Sequence, residues 1–157
     1  MTLIIKKIND NKRGVFTSRP FETNDVILKF PANNLTGEQV SKLSGEQRDN
    51  VLQVGIDRFI DLEKETPFFI NHNCNPNCYV KAVVNSAFLI ALRPISKDEE
   101  ITFDYSLTST DSETDWSMPC SCHRYYCRKT ISGFNTLSKD KQEEFVKGGI
   151  LPRYIKG

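Results

Sequence analysis

Long apolar runs are missing from this chain: the longest is Ala87 to Leu92, far short of the roughly 20 residues a membrane-crossing helix needs. The opening Leu3-Ile4-Ile5 is cut off at Lys6-Lys7, too early for a secretory leader. Neither a transmembrane span nor a signal peptide is expected. Bias of charge is missing too, since 21 Lys and Arg face 20 Asp and Glu for a net +1. No bulk field invites a polyanion, so direct contact with nucleic acid is not expected. Internal repeats, low-complexity tracts and a flexible interdomain linker are also absent. What remains is 157 residues, 38% hydrophobic and 26% charged, the size of one globular domain that buries roughly two-thirds of its unfolded surface.

Cysteine is present in an odd number, Cys74, Cys78, Cys120, Cys122 and Cys127. Without an export signal, that count points to a reducing, intracellular compartment, cytoplasm or nucleus, and to thiols or metal rather than disulfides. Charge is segregated although its sum is near zero. From Asp98 to Asp115 the chain carries Asp98, Glu99, Glu100, Asp104, Asp111, Glu113 and Asp115 and no Lys or Arg. After Cys120, Arg124, Arg128, Lys129, Lys139, Lys141, Lys147, Arg153 and Lys156 outnumber Asp140, Glu143 and Glu144.

Short runs rich in branched and aromatic residues predict strands at Leu3–Ile8, Val15–Thr17, Val26–Phe30, Phe59–Leu62, Tyr79–Val84, Ala87–Leu92 and Glu100–Phe103. Asn85-Ser86 reads as a tight hairpin turn. Helix is expected in two places. Thr36 with Gln39 forms a capping box ahead of Val40, Leu43 and the Val51, Leu52, Val54 series, interrupted near Gly45. Ser138 caps a helix through Phe145 and Val146 that ends at Gly148-Gly149. Ser106 to Pro119 reads as a loop. The fold class is therefore mainly β, with few short helices and long functional loops.

Cys120-x-Cys122-x4-Cys127 places three thiols in a polar segment, where Arg124, Arg128 and Lys129 favour thiolates. Zinc takes four ligands in a tetrahedron, so a fourth must come from Cys74, Cys78, His72 or His123. Such a segment has little apolar content to pack, and the metal would supply its folding energy. A thiol-redox role fits less well, because no Cys-x-x-Cys is present.

Four segments, in order, resemble the SET-domain protein lysine methyltransferases. Phe69-Ile70-Asn71-His72-Asn73-Cys74-Asn75-Pro76-Asn77-Cys78 is similar to the family's Asn-His-Ser-Cys-x-Pro-Asn-Cys motif, and Glu99 to Tyr105 to its Glu-Glu-(Ile/Leu)-Thr-Phe-Asp-Tyr motif. Cys120 to Arg128 resembles its post-SET Cys-x-Cys-x4-Cys-Arg element. Lys12-Arg13-Gly14-Val15-Phe16, then Pro20-Phe21 to Ile27, resembles its opening Gly-x-Gly-Val and the stretch after it. The resemblance runs from about Lys7 to Ile131. Lys12 stands at the first glycine, Phe68 at a usual basic residue and Asn73 at the usual Ser.

The resemblance implies a SET fold of small curved sheets with a pseudoknot-like threaded segment. It divides the chain into a catalytic domain at 1–117, a post-SET zinc segment at 118–134 and a helical tail at 135–157 packed on the same domain. It implies Tyr105 as the catalytic residue and a substrate channel lined by Phe103 and Tyr105. S-adenosylmethionine would be held by Lys12, Arg13, Gly14, Asn71, His72 and Tyr105, with Ile131 against its adenine. Zn2+ would be held by Cys74, Cys120, Cys122 and Cys127, leaving Cys78 structural. The implied partner is a protein substrate with an exposed lysine in a basic segment, such as a histone tail, drawn in by the acids around Tyr105. The chain itself is expected to act as a monomer without a membrane partner. Phenylalanine at position 103 implies a dimethyl or trimethyl product. The competing reading is a non-catalytic, zinc-stabilised interaction module, and S-adenosylmethionine binding separates the two.

Overall fold

β-branched residues interleaved with lysine favour an extended chain at the start. In the computed structural model, which describes residues 2–62, 65–84, 86–110 and 116–155, Leu3–Asn9 (β1) pairs antiparallel with Lys12–Thr17 (β2). Val26–Lys29 (β3) follows, then Asn34–Leu35 (β4), two short helices at Gly37–Ser41 (α1) and Gly45–Arg48 (α2), and Val51–Gly55 (β5) hairpinned with Arg58–Asp61 (β6). Next come Asn71–His72 (β7), Cys78–Val83 (β8), Ser86–Ala91 (β9) and Glu100–Phe103 (β10). Ser117–Pro119 (β11), Thr130–Ser132 (β12) and Lys139–Lys147 (α3) complete the chain. The largest sheet runs β1-β2-β10-β8-β9-β3 with β7 beside β10, while β4-β6-β5 and β11-β12 form two small sheets.

β10 is the junction of the large sheet. It is antiparallel to β2 and parallel to both β7 and β8, with Thr102 opposite Asn71 and Phe103 opposite His72. Parallel strands buried on both faces need apolar side chains throughout, and Ile101, Thr102 and Phe103 are all buried. Val15, Ile70, Leu89, Ile95 and Ile101 fill the centre with almost no exposure, each contributing about 1.5–3 kcal/mol by burial. Asn77, also buried, replaces missing ladder bonds: its Nδ2 donates to the Glu100 carbonyl at 2.8 Å, and its Oδ1 accepts from the Thr102 amide at 2.9 Å.

All seven expected strands form, with β2 starting earlier, at Lys12. The Thr36 capping box is present, and a second, Ser44 with Gln47, starts α2 at Gly45 rather than breaking a helix there. Val51, Leu52 and Val54 correct the helical expectation, because they lie on β5. A short apolar run fits either period, and cross-strand pairing with β6 decides it. Part of the expected loop after Ser106 is also ordered as β11. Asn85 of the expected hairpin turn lies outside the described residues, although β8 and β9 pair as that turn requires.

Ser138 caps α3, and Gly149 follows with φ +68. Phe145 packs with Leu107, Phe134, Leu151 and Ile155 in a second apolar cluster. No helix among the described residues is long and apolar enough to cross a membrane. Tyr154 Oη donates within reach of both the Gln53 carbonyl (2.8 Å) and the Thr108 carbonyl (2.9 Å).

Burial pushes the Tyr154 phenol above the ordinary tyrosine value. A folded-state value raised in this way contributes stability that is full below about pH 10 and fades as pH climbs past it. Tyr154→Phe should therefore cost about 1 kcal/mol near neutrality and flatten the alkaline decline, as read by urea unfolding across pH. Unchanged stability at every pH would mean that these bonds contribute nothing.

Candidate active site and metal centre

Asn71 and His72 enter the site side by side because β7 is held along the end of β10. The Asn71 amide donates to the Arg13 carbonyl at 2.8 Å and to Glu100 Oε1 at 2.7 Å. Both amide hydrogens are thereby committed, and its amide oxygen is the remaining polar atom. Gly14 sits against this pair: a Cβ there would fall 2.6 Å from Glu100 Oε1 and 3.1 Å from Asn71 Nδ2. The need for glycine at position 14 is therefore internal packing.

His72 is buried, and burial lowers its pKa from 6.5 to about 4, Asp104 opposing the shift. The ring is thus neutral at physiological pH. Nδ1 accepts from the Tyr105 amide at 3.2 Å, which assigns the proton to Nε2, 3.3 Å from Cys74 Sγ. The nearby Asp104 oxygen, 3.4 Å from Nδ1, is consequently a neighbour rather than an ion-pair partner.

Tyr105 Oη donates to the Ile70 carbonyl at 2.7 Å. Burial raises its pKa above the tyrosine norm, so the phenol stays protonated. Its ring lies 4.9 Å from Phe103, centroid to centroid. Both rings line a cavity of about 510 Å³ that also touches Val40, Leu52, Ile70, Trp116 and Met118. A second cavity of about 610 Å³ is lined by Lys12, Arg13, Phe69 and Asn71, and Phe68 borders both. The two spaces share Phe68 as a wall, and the Tyr105 hydroxyl is anchored two residues along, on the Ile70 carbonyl. His72, Gly14 and Ile131 take other positions: His72 faces Tyr105 and Cys74, Gly14 packs under Asn71, and Ile131 is buried on β12 opposite Met118.

Cys74, Cys120, Cys122 and Cys127 bring their sulfurs within 4.8 Å of one another. Cys74 and Cys120 are 3.7 Å apart, close to the roughly 3.8 Å edge of a tetrahedron with Zn–S bonds of about 2.3 Å. Burial pushes the Cys74 and Cys120 thiols up, whereas at Cys122 the backbone amides of Cys74 and Arg124 together with the Cys120 and Cys127 thiols outweigh burial and bring it down to about 6, toward the thiolate that metal takes. This donor set fits Zn2+. Cys78 stays apart in the core, where burial pushes its thiol up to about 12.

Arg128 plays its expected part in favouring a thiolate, since its charge and its backbone amide both act to lower the Cys74 thiol. Its backbone amide faces Cys74 Sγ at 3.5 Å, whereas its guanidinium forks onto buried Asp104, with both N···O distances 2.6 Å. Other acids of the expected rim are also internally paired. Asp98 meets Lys6 at 2.9 Å, Glu99 meets Arg93 at 2.6 Å, and Glu100 holds Asn71. Asp111, Glu113 and Asp115 lie outside the described residues.

A family model described as SET domain matches residues 12–106, more than half of the chain. The chain belongs to the SET-domain family. It is similar to Histone-lysine N-methyltransferase SETD1 of Drosophila melanogaster, 25% identical over 136 residues, covering 76% of this chain and 8% of that protein. SETD1B of Homo sapiens is 29% identical over 133 residues (76% and 6%), and SETD1B of Xenopus laevis 30% over 133 (76% and 7%). The SET chain described here spans less than a tenth of the length of these relatives.

Sequence reasoning singled out the SET motifs but not the internal work of Glu100, Asn77 or the Asp104–Arg128 pair. Their partners lie more than 20 residues away, and no local pattern announces them. Protein purified without chelator should carry one zinc per chain by elemental analysis, and chelation should disorder 118–134 while the large sheet persists. Less than half an equivalent of zinc would overturn the metal assignment.

Proposed function

We propose that this chain is an S-adenosylmethionine-dependent protein-lysine N-methyltransferase acting on a basic protein of the histone type. The observation that carries the reading is an apolar cavity lined by Phe103 and Tyr105 and a polar one lined by Lys12, Arg13 and Asn71 that share Phe68 as a wall, with the Tyr105 hydroxyl fixed on the Ile70 carbonyl. The SETD1 relatives, named as histone-lysine methyltransferases, support the substrate class. S-adenosylmethionine, when bound, supplies a sulfonium methyl group. The polar cavity of Lys12, Arg13 and Asn71 suits that cofactor's charged and hydrogen-bonding groups, with the Asn71 oxygen able to accept from an ammonium.

The apolar cavity receives the lysine. Displacement at the methyl needs a neutral amine, and deprotonating a lysine of pKa about 10.4 at pH 7.4 costs about 4 kcal/mol. Phe103, Leu52, Trp116 and Met118 disfavour the ammonium there and offset part of that cost. Tyr105, kept protonated by burial, orients the amine through its hydroxyl and does not act as base. Rate then comes mainly from alignment. The cysteine segment is tied through Arg128 to Asp104, the residue before Tyr105.

Tyr105→Phe should keep zinc and bind S-adenosylmethionine normally by calorimetry, yet lose methyl transfer to histones by at least about a hundredfold. Near-normal turnover would remove Tyr105 from the mechanism, and failure of the wild-type chain to bind S-adenosylmethionine would favour the non-catalytic module. Phe103 leaves room for an already methylated amine. Mass spectrometry should show dimethyl- or trimethyl-lysine for the wild type, and mainly monomethyl-lysine for Phe103→Tyr. Only monomethyl product from the wild type would contradict this assignment.

A further inference from the structure

The tip of the cysteine segment presents an arrangement that methyl transfer does not use. The Cys127 amide donates to the Arg124 carbonyl at 3.0 Å, closing a turn whose corners are Tyr125 and Tyr126. Tyr125 is fully exposed at 103% and Tyr126 is exposed at 58%. Cys122 and Cys127, on either side, belong to the four-sulfur cluster, so the turn is clamped at its base. His123 and Lys129 flank it in left-handed conformations, φ 53 and 67, which non-glycine residues keep only where the surroundings fix them.

Exposed basic residues adjoin the two tyrosines along the chain. Arg124 and Lys129 are exposed, as is His123, and Lys12 reaches the same segment through Ser121 Oγ at 3.3 Å. From Trp116 to Lys139 the sequence contains no Asp or Glu. The near-neutral total charge therefore coexists with a locally basic, aromatic tip.

We propose that this tip binds single-stranded nucleic acid, Tyr125 and Tyr126 stacking on unpaired bases while Arg124 and Lys129 meet phosphates. Rings exposed as these are lend themselves to stacking, and every base offers a π-face. An acidic peptide would use the cations but not the adjacent rings. A membrane surface would call for aliphatic neighbours, and the tip His123-Arg124-Tyr125-Tyr126 has none. This site is independent of the lysine channel, so it stands or falls apart from the enzymatic reading.

The test is fluorescence anisotropy with zinc-loaded full chain and labelled oligouridine or oligothymidine dodecamers, from about 50 to 200 mM salt. Binding should weaken at least about tenfold when both Tyr125→Ala and Tyr126→Ala are made, one stacked base being worth about 1–3 kcal/mol. The paired Tyr→Phe variant should retain affinity. Arg124→Gln and Lys129→Gln should each reduce the slope of log K against log salt by about 0.7. Zinc content and the unfolding midpoint of each variant guard against misfolding. Preference for the RNA or the DNA strand supports the proposal and names the source. No binding at the lowest salt, undiminished binding by the double alanine variant, or equal affinity for a polyglutamate or anionic vesicles would overturn it.

Discussion

A buried carboxylate governs the arrangement around the site. Asp104 has about 1% exposure, and it accepts both Arg128 nitrogens at 2.6 Å and the Ser106 amide at 3.1 Å. It sits between Phe103, which ends β10, and Tyr105, which begins the next turn. One charge thus ties the strand end, the tyrosine turn and the cysteine segment together. Removing one partner from such a pair costs about 3–5 kcal/mol, because the other charge is left buried alone. Geometric control over Tyr105 follows from that rigidity.

The neighbouring interactions extend the same constraint. Neutral His72 spans from the Tyr105 amide to Cys74, so the four-sulfur cluster and the tyrosine share a ring as well as an ion pair. Glu100 fixes Asn71 and leaves no space for a side chain at Gly14. Asn71 and Tyr105, which line the two cavities, consequently have polar partners that are internal and fixed. Preorganisation of this kind is what a reaction driven by alignment requires.

Legibility in the sequence varied with the range of the interaction. Strands such as Glu100–Phe103 and the capped helix after Ser138 were readable, because branched runs and capping residues act within a few positions. The three clustered thiols were readable for the same reason, and their convergence with Cys74 agrees with the motif. Val51–Gly55 was misread as helical, since its short apolar run suits either period until β6 pairs with it. Asp98, Glu99 and Asp104 looked like part of a free acidic rim. Lys6, Arg93 and Arg128, distant or separated in sequence, take up Asp98, Glu99 and Asp104.

The sequence by itself determined the residue types the site could use: a tyrosine, an Asn-His pair and enough closely spaced thiols to need a fourth ligand. It also determined the local chemistry of turns and caps. Tertiary structure alone decided which charges are internal, which histidine nitrogen carries the proton, and that Tyr125 and Tyr126 stand in solvent while Tyr105 is anchored. The physical reason is that pairing and burial depend on contacts between segments far apart in the chain. Composition can sum the charges to +1, but only folding pairs Asp98, Glu99 and Asp104 with Lys6, Arg93 and Arg128 and leaves Arg124 and Lys129 exposed.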